Sequence, residues 1–281
     1  MSNLISESSA RTSLPGSGSP SPSMNANRRR QAGRTAKGAA GVLVAILLWE
    51  AVRATGLVDP RDLPSFLSIL RTGFVDFPGL LNAALGTLSV WAPGLVIAIV
   101  LGAAAGIALA LMPRVEIVTR PIVEFIRPIP SVALIPVALI VLGLGFRMEI
   151  ALIAFASVWP VLFNTKTGVE GVDPRFIETG KVLGLRKSGR VLRIVIPNAL
   201  PAVATGVRTA AAIALVLAIT VEMLAGQKGL GFYLQFARLN GQAENMWAAT
   251  VFSGLIGLTL NAIFLVAERR LLKWSSENRA N

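Results

Sequence analysis

Long apolar segments without any charged residue constrain this chain more than any other feature. Residues 77–113, 128–146 and 245–267 contain no Asp, Glu, Lys or Arg. A membrane-spanning helix needs about 20 predominantly apolar residues, so each segment is long enough to hold one. Only 15% of the 281 residues are charged, whereas globular proteins carry roughly 25%. The sequence therefore predicts an all-α integral membrane protein.

Six membrane-spanning helices are predicted from hydropathy and charge. Their approximate ranges are 38–56, 86–112, 121–143, 149–168, 199–224 and 246–268. Residues 57–80 are too polar to span and are predicted to contain a short surface helix. Residues 1–37 are rich in Ser, Pro, Gly and Asn and end in a basic cluster, which predicts a disordered tail. The predicted domains are this tail, a transmembrane domain (38–274) and a short C-terminal tail (275–281).

The distribution of Lys and Arg predicts the orientation of these helices. With both termini inside the cell, 21 of the 27 basic residues fall on the inner side and six on the outer side. Basic residues favour the cytoplasmic side of a bilayer. We therefore expect both termini in the cytoplasm, together with the loop between the fourth and fifth predicted spans. The net charge of +12 reflects this bias, and no nucleic-acid partner is predicted.

The loop between the fourth and fifth predicted spans begins like a helix. Asp173 and Pro174 favour a helix start, because Asp caps free backbone N–H groups and proline suits the first helical position. Arg175, Glu178 and Lys181 follow at intervals of three residues, so their charges can pair on one face. A solvated basic loop without a partner is the alternative at this point.

The second half of this loop predicts a turn and a second short helix. Gly184 suits the left-handed residue that ends a helix. Ser188 is predicted to cap a helix that runs to Ile196. Pro197 and Pro201 are then expected to bend the chain toward the next span. Together the two halves predict a helical hairpin outside the bilayer at residues 173–197, called the hairpin below.

The hairpin resembles the cytoplasmic EAA loop of permease subunits in ATP-driven importers of the ABC class. That family's pattern is Glu-Ala-Ala, three residues, glycine, nine residues and then Ile-x-Leu-Pro. The matching positions are Glu178, Gly184, Ile194 and Pro197. The two alanines are replaced by Thr179 and Gly180, and the leucine by Ile196.

The resemblance covers most of the chain from about residue 60 to 274 and is closest to permeases of the sulfonate, nitrate and taurine importer group. Further matching positions are 127–130, 135–136, 143–145, Asn164, Gly168, Val169, 173–174, Gly206, Arg208, Glu222 and 229–231. This set of motifs is specific for the family and not for the substrate.

The resemblance implies a permease subunit that forms the substrate pathway and couples it to a separate ATPase. The implied partners are a second permease subunit in a homodimer, two cytoplasmic ABC ATPases, an extracytoplasmic substrate-binding protein and the bilayer of the inner (plasma) membrane. The chain itself is then not an enzyme and binds no cofactor. ATP and Mg²⁺ belong to the ATPase, in agreement with the lack of a phosphate-binding P-loop motif in this sequence. The expected substrate is a small anion such as a sulfonate, nitrate or taurine.

Two groups of site residues follow from the resemblance and from the cost of charges in a membrane. The residues expected to couple to the ATPase are Arg175, Glu178, Lys181, Gly184, Leu185 and Arg186. Arg127, Arg208 and Glu222 are candidates for the pathway or a gate, because ionisable groups at membrane depth usually have a role or a partner. Two alternatives stay open: Arg127 as a positive anchor paired with Glu124, and Glu222 as an interfacial side chain.

Three further patterns concern the packing of the helices. Gly102 and Gly106 form a small-residue face that predicts close helix packing and not a ligand site. Pro128, Pro130 and Pro136 either kink the third span and widen a pathway, or the helix of this span begins only after Pro130. Trp91 lies near the start of the second predicted span and is expected to anchor at the membrane interface.

Two other function classes compete with the importer permease. A membrane enzyme is disfavoured because the chain has no His and no Cys, which are the usual general base and a common nucleophile. An ATP-independent secondary transporter or channel would need no ATPase and is often built from inverted repeats. No convincing internal repeat is visible in the sequence.

Overall fold

The computed structural model describes residues 40–59 and 61–272, and the regular secondary structure in these ranges is helical. Residues 40–54 form the first helix, α1, within a unit of its own that ends at Val58. A second compact unit begins at Asp59. The tails predicted at residues 1–37 and 275–281 lie outside the described residues.

The second unit is a succession of helices. They are α2 (Phe66–Val75), α3 (Phe77–Leu111), α4 (Pro113–Ile126), a 3-10 turn (Ser131–Leu134), α5 (Ile135–Leu142), α6 (Phe146–Glu170), α7 (Pro174–Val182), α8 (Lys187–Arg190), a π-helical turn (Val191–Val195), α9 (Ile196–Ala225), α10 (Leu230–Leu239) and α11 (Ala243–Leu271). The short helix predicted within 57–80 is confirmed as α2, and residues 77–80 belong to α3.

Four helical segments of the described chain are long and apolar enough to cross a membrane. They are α3, α6, the continuous run Lys187–Ala225 and α11. A fifth span results if α4 and the segment Ser131–Leu142, which meet at 84°, count as one broken span. The first four segments confirm four of the predicted spans as apolar helices, and the third predicted span is a bent pair of shorter helices. The first predicted span begins outside the described residues, at residue 38, and stays a prediction.

The break in the third predicted span lies between α4 and the 3-10 turn, at residues 127–130. Pro128 and Pro130 lie in this break. Proline has no N–H to donate, and its ring clashes with the preceding helical turn, so an α-helix does not continue through both. The prolines therefore bend the chain within the predicted span and do not simply precede it.

α3 and α6 pack closely because α3 has glycines where the two helices meet. A Cβ atom at Gly102 would lie 2.8 Å from the carbonyl oxygen of Val158, and one at Gly106 would lie 2.6 Å from that of Leu162. Both distances are shorter than van der Waals contact, so a side chain at either position would push the helices apart. The predicted packing role of Gly102 and Gly106 is confirmed.

The core of the second unit lies where α3, α6 and α9 meet. Its buried residues include Val90, Leu95, Ile153, Val161, Ala210 and Ala214. Trp91 belongs to this cluster, is only 8% exposed and donates from Nε1 to the carbonyl oxygen of Ala211 at 3.1 Å. The prediction of an interfacial Trp91 is therefore wrong. α3 begins at Phe77, nine residues before the predicted span, which places Trp91 well inside the helix.

Candidate functional site

The first arm of the hairpin is α7, and it begins as the sequence predicts. The Asp173 carboxylate accepts a hydrogen bond from the backbone N–H of Arg175 at 2.9 Å, with Pro174 in the first turn. The predicted pairing of Arg175, Glu178 and Lys181 is wrong, because none of the three forms an ion pair with any described residue. Exposed pairs of this kind gain little free energy in water, so their charges stay available to a partner.

The turn after α7 is built around Gly184, which has a φ of +73°. The backbone N–H of Gly184 donates to the carbonyl oxygen of Lys181, and that of Leu185 donates to the carbonyl oxygen of Gly180, both at 3.0 Å. This pair of hydrogen bonds is the Schellman arrangement, which satisfies the last carbonyl groups of a helix. The predicted left-handed conformation of Gly184 is confirmed.

The second arm differs from the prediction. Ser188 does not cap it, because the helix begins after Arg186 and no side chain caps its first turn. Pro197 and Pro201 do not bend the chain away either, since the helix runs on through both into α9. The π-helical turn Val191–Val195 ends one residue before the Ile196-Pro197 start of α9, and its wider spacing accommodates the backbone ahead of a residue that lacks an N–H.

The tip of the hairpin exposes apolar side chains. Val182 is 86% exposed and Leu183 is 72% exposed, directly before Gly184. The side chain of Arg190 closes the tip from the second arm by donating to the carbonyl oxygen of Leu185 at 3.0 Å. Apolar residues and unpaired charges therefore share one small surface, which is called the hairpin tip below and comprises residues 175–186.

A buried polar cluster lies at the other end of α9. The Glu222 side chain is 1% exposed, and its Oε2 accepts hydrogen bonds from the Thr87 hydroxyl at 2.8 Å and from the Gly231 backbone N–H at 3.0 Å. The Thr87 hydroxyl in turn accepts from the backbone N–H of Leu230 at 2.9 Å. The Glu222 cluster, formed by these four residues, therefore joins α3, α9 and the start of α10.

Two glycines let the start of α10 lie close to Glu222 and to the backbone of α9. A Cβ atom at Gly229 would overlap the Glu222 carboxyl group, and one at Gly231 would overlap the carbonyl oxygen of Ile219. Gly229 also has a φ of +103°. The interfacial alternative for Glu222 is wrong, because this side chain is enclosed by protein. Its role in a gate stays a prediction.

Other polar groups lie close to the Glu222 cluster. Glu149, in the first turn of α6, is 4% exposed. Lys228 places its Nζ 6.0 Å from the centre of the Phe146 ring. Tyr233 on α10 donates a hydrogen bond to the Asp76 carboxylate, and burial together with this bond raises the pKa of the Tyr233 hydroxyl. α10 is thus held to α3 at two places, by the Leu230 N–H on Thr87 and by the Tyr233 hydroxyl on Asp76.

The three pathway candidates do not share a site, because each contacts a different set of partners. Arg127 lies over the Phe163 ring, with 4.6 Å between the guanidinium carbon and the ring centre. Its predicted pairing with Glu124 is wrong, since Glu124 pairs with Arg120 at 2.8 Å. Arg208 forms an ion pair at 3.3 Å with Glu268 on α11.

Sequence reasoning missed the partners of these residues. Thr87 lies 135 positions from Glu222 in the chain, and Glu268 lies far from Arg208. Only the helix packing brings such pairs together. The one local signal was the glycine pair at residues 229–231, which shows where another group approaches the backbone closely.

Comparisons with known proteins agree with the motifs. Residues 94–274 match the family described as binding-protein-dependent transport system inner membrane component. The permease protein SsuC of Bacillus subtilis, named for the transport of aliphatic sulfonates, is 27% identical over 82% of this chain and 84% of its own length. The bicarbonate transport system permease protein CmpB of Synechocystis sp. is 31% identical over 79% of this chain and 83% of its own length.

Solved structures with the same fold also exist. An inward-facing structure of the MetNI methionine ABC transporter has a chain that matches with a TM-score of 0.59 at 18% identity, covering 69% of this chain and 94% of its own. A chain of an amino acid ABC transporter matches with a TM-score of 0.54 at 19% identity. The match covers 73% of this chain and 98% of that chain. At these identities, the likeness shows a shared fold.

Proposed function

The chain belongs to the family of binding-protein-dependent transport system inner membrane components, and we propose that its hairpin tip binds the ATPase that drives import. The chain is a permease subunit of an ABC importer and not an enzyme itself; the ATPase is a separate subunit. The comparisons do not favour the ATP-independent transporter or channel.

The observation that carries the proposal is the exposed apolar surface of the hairpin tip. Val182 and Leu183 are exposed beside a rigid Schellman turn, and the charged residues around them are unpaired within the described chain. A loop that is only solvated gains nothing from exposing a Val-Leu pair, whereas a protein interface uses such residues as anchors. The six predicted coupling residues all belong to this surface.

The proposed assembly has two copies of this chain related by two-fold symmetry, two ATPases and an extracytoplasmic binding protein. Each copy contributes six spans, with α1 as the first and the broken segment from α4 to α5 as the third. The distribution of basic residues supports a cytoplasmic location for both termini and the hairpin in the inner membrane. ATP and Mg²⁺ would bind to the ATPases, and this chain would bind no cofactor.

The proposed substrate is a small anion. One relative is named for aliphatic sulfonates and another for bicarbonate, and both of these substrates are small anions. The resemblance noted in the sequence adds nitrate to the same class, and also taurine, a zwitterion that carries a sulfonate group. ATP-dependent uptake of a panel of such anions by the reconstituted complex would identify the member of the class that is carried.

The hairpin proposal is tested by placing a charge on the tip. Leu183→Asp should reduce the amount of ATPase that co-purifies with the chain by about tenfold, because a buried interface tolerates an unpaired carboxylate poorly. Leu239→Asp is the matched control, since Leu239 is 76% exposed at the end of α10. This control should leave the ATPase bound.

Equal retention of the ATPase by both variants would show that the hairpin tip is not the docking surface. Loss of the ATPase from both would indicate a general defect and would equally contradict a specific role for Leu183. The amount of each variant in the membrane fraction serves as the check on folding.

A further inference from the structure

An open cleft of about 670 Å³ separates α4 from α3 and α6. Two contacts join its walls. Lys166 Nζ on α6 lies 2.6 Å from a carboxylate oxygen of Glu116 on α4, and the guanidinium of Arg127 lies over the ring of Phe163 on α6. A volume of this size is typical of small-molecule sites. The cleft also adjoins the break at residues 127–130, where the backbone is not α-helical.

The charged side chains that line the cleft leave one cation without an anionic partner. Glu116 is paired with Lys166, and Glu124 is paired with Arg120. The Arg127 guanidinium makes no hydrogen bond or ion pair with any residue that the structure describes. Its carbon atom lies over the Phe163 ring, 4.6 Å from the ring centre. Its five N–H donors are therefore free.

The rest of the lining fits the carbon part of a small organic ligand. Leu109, Val123, Pro128 and Phe163 contribute apolar surface beside the free guanidinium. A guanidinium is planar and presents paired donors that match two oxygens of one sulfonate or carboxylate group. The contact with the Phe163 ring restricts the Arg127 side chain, so less conformational freedom is lost when an anion binds.

We propose that this cleft, called the Arg127 cleft, binds the oxyanion head group of a small aliphatic sulfonate or carboxylate through the Arg127 guanidinium. The short carbon chain of the ligand then lies against Phe163 and Val123. This assignment rests on the proposed function, because it gives a location in the permease to the anion that the importer carries. An anionic lipid offers the same oxyanion chemistry, so the experiment separates the two sources.

The test uses one introduced cysteine as a reporter of the charge in the cleft. The native chain has no cysteine, and Val123→Cys places one in the lining, one helical turn before Arg127. The full chain is reconstituted in phosphatidylcholine nanodiscs. The rates of modification are measured with two methanethiosulfonate reagents, one that carries an ethylsulfonate and one that carries an ethyltrimethylammonium group.

The ratio of the modification rate with the anionic reagent to that with the cationic reagent should be higher for Val123→Cys than for a small thiol in solution. This ratio is called the preference below. Adding Arg127→Gln should lower this preference by about fivefold, as expected for the loss of one nearby charge in a partly solvated cleft. Arg127→Lys should retain part of the preference. Arg114→Gln is the matched control: it removes one positive charge from the same helix, outside the cleft lining, and should change the preference by less than about twofold.

Protection by a free anion then identifies the ligand. Millimolar ethanesulfonate should slow modification of the Val123→Cys chain and should not slow it after Arg127→Gln, whereas ethylamine should have no effect on either. Phosphatidylglycerol in the nanodiscs should leave this protection in place. If phosphatidylglycerol alone removes the preference and ethanesulfonate never protects, the cleft is a lipid site and the proposal is overturned.

A preference that is unchanged by Arg127→Gln would overturn the proposal as well. Either failure is distinct from failure of the proposed function, because the labelling requires no ATPase. ATP-dependent anion uptake that is insensitive to Arg127→Gln would leave the importer standing and remove the cleft from its pathway. Anion protection without ATP-dependent uptake would support the anion site in the cleft and contradict the proposed import function.

Discussion

α9 carries a buried polar contact at its C-terminal end and continues from an exposed turn at its N-terminal end. Near its C-terminus, Glu222 is 1% exposed and accepts hydrogen bonds from both α3 and α10. Ahead of its N-terminus, the hairpin tip exposes Val182 and Leu183 and has no ion pair within the described chain. A glycine with positive φ lies near each end, Gly229 beyond the C-terminus and Gly184 ahead of the N-terminus, but the two glycines have different roles.

The difference separates residues that hold the fold from residues that meet a partner. At the Glu222 cluster, glycine makes room for a buried carboxylate, and every hydrogen bond lies inside the protein. At the hairpin tip, glycine allows a sharp turn that presents side chains outward. Changes at the cluster should therefore lower stability, whereas changes of the exposed side chains at the tip should lower coupling and leave stability unaffected.

The largest effect is expected from Gly184→Val. A β-branched residue at a φ of +73° is strained by about 1–3 kcal/mol, which should displace the tip from the ATPase. ATP-driven uptake by the reconstituted complex should fall to background, while the amount of the chain in the membrane fraction stays unchanged.

The matched control for Gly184→Val lies in the second arm of the same hairpin. Gly189 has no positive φ, and a Cβ there meets no described atom within 4 Å. Gly189→Val should therefore retain most of the uptake. If Gly184→Val transported normally at normal abundance, the shape of the tip would be irrelevant to coupling.

Glu222→Ala should have the next largest effect. We expect it to lower the stability of the chain and not its coupling to the ATPase. The substitution leaves the buried Gly231 N–H without its acceptor, and an unsatisfied group of this kind costs about 1–3 kcal/mol. The Thr87 hydroxyl loses its 2.8 Å acceptor and keeps only the longer hydrogen bond to the carbonyl oxygen of Ala83, at 3.4 Å. Thermal unfolding of the purified chain in detergent should shift to lower temperature. Glu178→Ala, at the hairpin tip, should leave the unfolding temperature unchanged.

The stability prediction is contradicted if the two glutamate variants unfold at the same temperature. Thr87→Val provides an independent check, because it removes the same hydrogen bond from the α3 side and also the acceptor of the Leu230 N–H. Thr87→Ser keeps the hydroxyl and should restore most of the stability.

The smallest effect is expected from Gly180→Ala, which restores the alanine of the family pattern. A Cβ at Gly180 would lie 2.6 Å from Cδ1 of Ile194, the flexible end of a side chain in the second arm. Because Ile194 can adjust, uptake should change by less than about twofold. A loss comparable to that of Gly184→Val would show that the two arms must stay in close contact.

Much of the fold was predictable because its signals are local. Apolar segments without charge predict the long helices, and Asp173-Pro174 and Gly184 predict both ends of α7. The errors arose where local signals compete. Pro197 suggested a bend, but a π-helical turn allows the helix to continue through it. Trp91 suggested a membrane interface, but α3 begins earlier, and the ring is buried against α9 and α11.

The partners of the charged residues were not predictable because they are distant in the sequence. The spacing of Arg127 and Glu124 suits a pair within one helix turn, yet Glu124 pairs with Arg120 instead. Thr87 gave no signal at all, since a lone threonine in an apolar helix has no distinctive pattern. Such contacts depend on how the helices pack and not on local propensity.

The central claim is that the hairpin faces the compartment of the ATPase, while the turn after α10 lies across the membrane. Single cysteines can test it because the native chain has none. Ser188→Cys and Asn240→Cys are treated with a membrane-impermeant maleimide in intact spheroplasts and after permeabilisation. We predict that Asn240→Cys reacts in intact spheroplasts and that Ser188→Cys reacts only after permeabilisation. The reverse pattern would place the hairpin where no ATPase can reach it and would contradict the account.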